Sequence, residues 1–124
     1  GGVRLGTAEI YSEVEKFKEI REGIVVGQSW DNDIRIVLFI IMNKNFRIND
    51  TLKEKIKKKI RVNASPRHVP NKIIAVKDIP RTKSGKIVEL AVKSVLEGDK
   101  IKNKEALINP EALEEYKNLK ELKY

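Results

Sequence analysis

The chain has 124 residues, a mass of 14.2 kDa, 40% hydrophobic and 35% charged side chains and a net charge of +8, which leaves room for one modest domain and excludes a self-contained large enzyme. Its longest apolar run, Ile34 to Met42, is interrupted by Arg35 and is too short to cross a bilayer, so a soluble protein is expected. With no cysteine and one histidine, a disulfide scaffold, a thiolate nucleophile and a typical transition-metal site are excluded, and the candidate chemistry rests on carboxylates, hydroxyls, lysine and arginine.

The chain opens Gly1-Gly2-Val3-Arg4 without an initiator methionine or a signal-peptide core, as expected for a fragment of a longer protein. Thr7 is a candidate N-cap for an amphipathic helix over Ala8 to Phe17, with Ile10, Val14 and Phe17 on one side. The β-branched run from Ile24 to Gln28 and the longer one from Ile34 to Met42 flank Trp30-Asp31-Asn32-Asp33, a turn sequence, and together read as an antiparallel hairpin. The second strand is apolar almost throughout, which predicts burial on both faces and a central place in a sheet covered by helices. Asn49-Asp50-Thr51 caps the next helix, where Leu52, Ile56 and Ile60 form a core stripe among lysines and Arg61. Pro66 and Pro70 predict an extended link to a third strand, Lys72 to Val76. A polar loop leads to a core helix over Val88 to Leu96, stopped by Gly98. Asp99 to Ile108 reads as polar and loosely packed, and Asn109-Pro110 opens a short terminal helix carrying Leu113, Tyr116 and Leu119, with Tyr116 as its anchor. The expected fold is therefore α+β, a three-stranded sheet made of a hairpin plus a third strand, flanked by helices and followed by a short C-terminal helix.

The positive charge is local. Residues 50–72 hold eight Lys/Arg against two Asp/Glu and residues 73–98 hold five against three, while the segments before and after are balanced. An anionic partner meeting the central segment and a solvated cationic helix face are both compatible with that pattern. His68 and Trp30 are assigned packing or hydrogen-bonding roles.

The segment richest in chemical possibility is Pro80-Arg81-Thr82-Lys83-Ser84-Gly85-Lys86-Ile87. It is not a P-loop, because Pro80 stands where that motif has glycine and Ile87 where it has a Mg²⁺-binding hydroxyl. What remains is a turn in which Gly85 permits unusual backbone angles and Lys86 can be presented to an oxyanion built elsewhere, or, the commoner outcome for a turn of this composition, an exposed basic turn.

Gly2 to Ile10, Ser65-Pro66-Arg67-His68-Val69-Pro70 and Pro80 to Lys86, in that order and spacing, resemble the C-terminal domain of the acyl-adenylate-forming enzymes. The Ser65 to Pro70 wording, Val88 to Lys93 and the tail Glu105 to Glu111 resemble the acetoacetyl-CoA synthetase branch of that superfamily, which accepts Val88 and Glu89 where acetyl-CoA synthetases commonly have arginines. The resemblance implies a cytoplasmic AMP-forming ligase in which residues 1–98 are a mobile lid and 99–124 an extension. A large N-terminal domain of the same polypeptide would bind ATP, Mg²⁺ and a short carboxylate such as acetoacetate. It implies that Lys86 is the catalytic lysine of adenylation, that Ser84 and Gly85 shape its turn, and that Thr82 and Lys83 add secondary contacts. On the thioester-forming face, Gly2 would leave a passage for the pantetheine arm of CoA, Arg4 would reach the AMP phosphate or the domain interface, and Glu9 would support that loop. Arg61 stands where some acyl-CoA synthetases place an arginine near the CoA nucleotide; Lys57, Lys58 and Lys59 are weaker candidates.

Three other readings compete. Another acyl-CoA or acid–thiol ligase, such as an acetyl- or short-chain acyl-CoA synthetase, fits the same motifs, and a structural module whose loop never meets nucleotide fits the same fold. A nucleic-acid module would use residues 53–61, but no aromatic side chain lies in that run to stack on bases. Neither a nucleic-acid nor a membrane partner is expected.

Overall fold

The computed structural model describes residues 7–85, 87–101 and 104–123. Strand β1 (Ile20–Trp30) pairs antiparallel with β2 (Asp33–Met42), and β3 (Lys72–Ala75) pairs parallel with β2, so the order is β1-β2-β3 with β2 in the middle. The hairpin turns on Asp31 and Asn32, both at positive φ (51° and 61°), the backbone that a two-residue loop needs to follow the twist of its strands. β1 begins four residues earlier than its β-branched run suggests. A bulge between Ile20 and Glu22 shifts the register, which lets Ile20 join the same face as Val25 despite the odd spacing.

β2 is buried on both sides, as its composition predicts. Val37, Phe39 and Ile41 face one layer and Leu38 and Ile40 the other. The second layer is made by α1 (Ala8–Val14) and α2 (Asp50–Asn63), which press Ile10, Val14, Leu52, Ile56 and Ile60 onto the sheet. α2 is also the crossover that the parallel β2–β3 pairing requires. Asn49 caps it, its side chain accepting a hydrogen bond from the Leu52 N–H (2.7 Å). The opposite layer contains α3 (Glu89–Leu96) and the C-terminal tail, whose short 3₁₀ segments run over Pro110–Tyr116 and Lys120–Leu122. Tyr116 lies 4.8 Å edge-on to Phe39 and donates its hydroxyl to the Asp78 carbonyl (2.8 Å), fixing the tail to the middle of the sheet.

The expected α+β architecture is therefore present, with local corrections. Thr7 does not cap α1 through its side chain, because its backbone is already helical (φ −75°, ψ −17°) and not extended. The helix stops at Val14, and Phe17 lies in the turns that follow. The Pro66–Pro70 link is not wholly extended: Pro66 opens a 3₁₀ turn over Pro66–His68, a place where its fixed φ suits helical backbone, while Ser65 before it stays extended. The stretch after Asp99 is not uniformly loose, since Leu107 is buried and pairs with Thr82.

Glu13 ties the two helices of one layer together. Its carboxylate accepts from Lys16 Nζ (2.7 Å) and from Asn63 Nδ2 at the end of α2 (2.7 Å). These bonds, Lys16 first and Asn63 second, hold its pKa below the ordinary 4.5 against the effect of burial. A depressed folded-state pKa contributes stability that is complete above the unfolded value and is lost as pH falls through the folded one. Urea unfolding of Glu13→Gln should therefore show a stability deficit at pH 7 that narrows at pH 3; an equal deficit at both would contradict the assignment. Asn49→Ala should lower stability by about 1 kcal/mol in the same assay, and no change would mean that the cap bond contributes nothing.

Candidate active-site loop and cationic helix

Beyond β3 the chain leaves the sheet. Val76 N–H still donates to the Ile40 carbonyl (2.8 Å), but from Lys77 onward the backbone finds partners elsewhere. Pro80 is buried, and the chain then turns back on itself: Arg81 bridges Ile87 in antiparallel fashion and Val88 N–H donates to the Pro80 carbonyl (3.2 Å). Within the turn, Gly85 N–H donates to the Thr82 carbonyl (2.9 Å), the Thr82 and Ser84 hydroxyls lie 2.9 Å apart, and Gly85 adopts φ +86°. That angle is costly for any residue with a Cβ. The turn thus has a fixed stem and an exposed tip containing Lys83, Ser84 and Gly85.

Thr82, Lys83, Ser84 and Gly85 are accordingly brought together in one turn. Lys86, Gly2 and Arg4 lie outside the described residues. Arg81, the remaining cation of the motif, is committed to an ion pair with Glu22 on β1 and braces the stem.

Arg61 belongs to a different region. It is exposed in the last turn of α2; Lys58 and Lys59, just before that turn, are exposed and Lys57 is half-buried, while Leu52, Ile56 and Ile60 are buried. Because α2 lies on one face of the sheet and α3 and the stem residue Ile79 pack on the other, the cationic helix face and the glycine turn stand on opposite layers. Beside α2, Phe17, Val62, Asn63, Lys55, Lys58 and Lys59 line a shallow cleft of about 380 Å³ with an apolar floor and a basic rim.

His68 has the hydrogen-bonding role expected of it. Its Nδ1 is 2.6 Å from the Ser65 hydroxyl, and its Nε2 lies 3.9 Å from a carboxylate oxygen of Glu9. Glu9 thus links the start of α1 to the 3₁₀ turn. Trp30 packs under the Arg35 guanidinium, 3.9 Å from the ring centre.

Two polar groupings are not evident in the sequence. The Tyr11 hydroxyl accepts from the Val25 N–H (2.9 Å) and meets the carboxylate of Glu89, the first residue of α3; burial chiefly, and this carboxylate in addition, push its pKa up. Asn109 opens the terminal 3₁₀ segment as the sequence predicts, its carbonyl accepting from Ala112 N–H, but its side chain turns to the loop stem, with Oδ1 accepting from Arg81 N–H (2.8 Å). A short tyrosine-to-glutamate or asparagine-to-loop pairing between distant segments leaves no periodic signal. Only the position of Asn109 before Pro110 sets it apart.

A family model described as the AMP-binding enzyme C-terminal domain matches residues 9–86. The chain is 58% identical to an acetoacetyl-coenzyme A synthetase of Rhizobium meliloti (strain 1021) over 99% of its own length and 19% of that protein's, and 45% identical to an acetoacetyl-CoA synthetase of Xenopus tropicalis over 98% and 18%. Its fold superposes on an acetoacetyl-CoA synthetase from Streptomyces lividans with a TM-score of 0.82 at 39% identity, covering 92% of this chain and 18% of the other. The chain thus spans less than a fifth of the length of the curated relatives it matches. The match runs from α1 through β3 to the glycine turn, which is the part of the fold described above, and the chain belongs to the family of AMP-binding enzyme C-terminal domains.

Proposed function

We propose that this chain is the mobile lid of an AMP-forming acetoacetate–CoA ligase, residues 1–98 forming the lid and 99–124 an extension packed against it, with the ATP and acyl pockets in a large N-terminal domain of the same polypeptide. The observation that carries this reading is 58% identity with an acetoacetyl-CoA synthetase sustained over 99% of the chain. The reading also assigns the protein to the cytoplasm and to ketone-body and lipid metabolism.

The reaction has two halves. In the first, a carboxylate oxygen of acetoacetate attacks the α-phosphorus of ATP and pyrophosphate leaves. In the second, the CoA sulfur attacks the acyl carbon, AMP leaves and the thiol proton is lost. Lys86 serves the first half. Two anions must approach each other there, and a protonated ammonium with three donors reduces their repulsion and stabilises charge developing at the α-phosphate. It acts as a placed cation, neither nucleophile nor base. Gly85 at φ +86° and the bridged stem shape the turn that precedes that lysine in the chain, while Thr82, Lys83 and Ser84 offer hydroxyls and charge to the same anion.

The second half uses the other layer. CoA carries a 3′-phosphate and a pyrophosphate, and the exposed Arg61, Lys58 and Lys59 of α2 suit them chemically. Gly2 and Arg4 are assigned to the pantetheine passage and the AMP phosphate. Mg²⁺ is assigned to the N-terminal domain; among the described residues no three His, Asp or Glu side chains converge as a metal site. The nucleic-acid reading has no comparable support.

In the intact ligase, Lys86→Ala should reduce acetoacetate-dependent ATP–pyrophosphate exchange by about a hundredfold or more, the usual cost of losing one transition-state donor, while thioester formation from supplied acetoacetyl-adenylate persists. Equal loss of both steps would refute the role. If acetate or another short acid drives exchange better than acetoacetate, the ligase is of another short-chain class. Arg61→Ala should raise KM for CoA severalfold and leave exchange untouched; an unchanged KM would remove Arg61 from the CoA site.

A further inference from the structure

The segment 77–82 carries the glycine turn but has left the sheet, and a backbone without a ladder must find hydrogen bonds elsewhere. It finds them in the C-terminal tail. Lys77 N–H donates to the Glu115 carboxylate (2.8 and 3.0 Å), the Asp78 carbonyl accepts from the Tyr116 hydroxyl, and the Arg81 carbonyl accepts from Ile108 N–H (2.9 Å). Asn109 is the hub. Its Oδ1 accepts from Arg81 N–H (2.8 Å), and its Nδ2 donates both to the Ile79 carbonyl and to Asp78 Oδ2 (2.9 Å each). Three of its four hydrogen-bonding positions are thus used on the strip that leads into the turn. Asp78 is itself fixed, since its Oδ1 accepts from Ile79 N–H (2.8 Å). The tail therefore does for this strip what a neighbouring strand would do.

The structure assigns Asn109 a function beyond packing: we infer that it is a positioning residue for the adenylation turn, holding the backbone at Ile79 and Arg81 so that the residues after it leave the stem in one direction. The inference rests on the role proposed above for Lys86. Asn109 touches no reacting group; its effect passes through the stem, and it should influence only the half-reaction that uses the turn. A tail that merely stabilised the fold would affect both halves alike, because both use the same folded domain.

The test uses the intact ligase and four proteins: wild type, Lys86→Ala, Asn109→Ala and the double variant. Asn109→Ala should lower the kcat of acetoacetate-dependent pyrophosphate exchange by about tenfold or more, since small misplacements of a positioned group cost up to about a hundredfold. KM for ATP and thioester formation from supplied acetoacetyl-adenylate should stay within about twofold. The double variant should be no slower in exchange than Lys86→Ala alone, because the two act through one path. Asn109→Asp, which keeps the acceptor for Arg81 but sets a second carboxylate against Asp78, should not rescue. Exchange unaffected by Asn109→Ala, both half-reactions lowered alike, or a double variant slower by the product of the two single effects would each overturn the proposal. Should Asn109→Ala fail to fold, Tyr116→Phe removes a single hydroxyl from the same strip and must show the same selective loss. If Lys86→Ala itself leaves exchange intact, the reading of the turn fails; if it is selective and Asn109→Ala is neutral, only the positioning role fails.

Discussion

A strand buried on both faces must be covered from both sides, and that requirement on β2 organises the molecule. Val37, Phe39 and Ile41 need one layer and Leu38 and Ile40 need another, so a chain of this size is committed to a sheet sandwiched between helices and tail. Each covering layer then presents an outer surface of its own. α2 turns its lysines and Arg61 to solvent on one side, while α3, the glycine turn and the tail occupy the other. Under the function proposed above, this arrangement would let one domain serve two half-reactions with two surfaces on opposite sides of its sheet.

The same sheet leaves a problem at its edge. β3 contributes only four residues to the ladder, and the strip beyond it runs out to the glycine turn with backbone groups still to be satisfied. The tail supplies them, and Phe39 holds the tail through its edge-on contact with Tyr116. Core packing, tail and turn are thus linked in series from the central strand outward. Charge follows the same logic. Arg81 is neutralised by Glu22, so positive charge at the tip is left to the turn residues themselves, while on α2 the lysines stand clear of the core stripe.

Much of this architecture is legible in the amino-acid sequence. The period of four in Leu52, Ile56 and Ile60, the cap at Asn49, the Asp31-Asn32 turn and the long apolar run of β2 are local signals, and local backbone preferences decide them. Three features are not legible there. The bulge near Arg21 is fixed by which face Ile20 must join, a tertiary demand that leaves no local pattern. The 3₁₀ turn at Pro66 differs from an extended link by a change in ψ that proline tolerates. The lacing of 77–82 to the tail depends on side chains about thirty residues away, and the short Ala106-Leu107-Ile108 run stands out little in the otherwise polar stretch after Asp99. The glycine turn declares itself by its motif, whereas its supporting asparagine does not, because hydrogen-bonding residues that hold backbone carry no spacing rule.

The central claim is that opposite layers of one small domain serve successive steps of one reaction. Hydrogen exchange on the intact ligase tests it most directly, with a non-reactive acetoacetyl-adenylate analogue bound alone, with CoA bound alone and with neither. The account predicts that the adenylate analogue slows exchange chiefly in residues 81–88 and that CoA slows it chiefly in α2 around residues 57–61. Protection of the same residues by both ligands, or protection of neither segment by either, would contradict it.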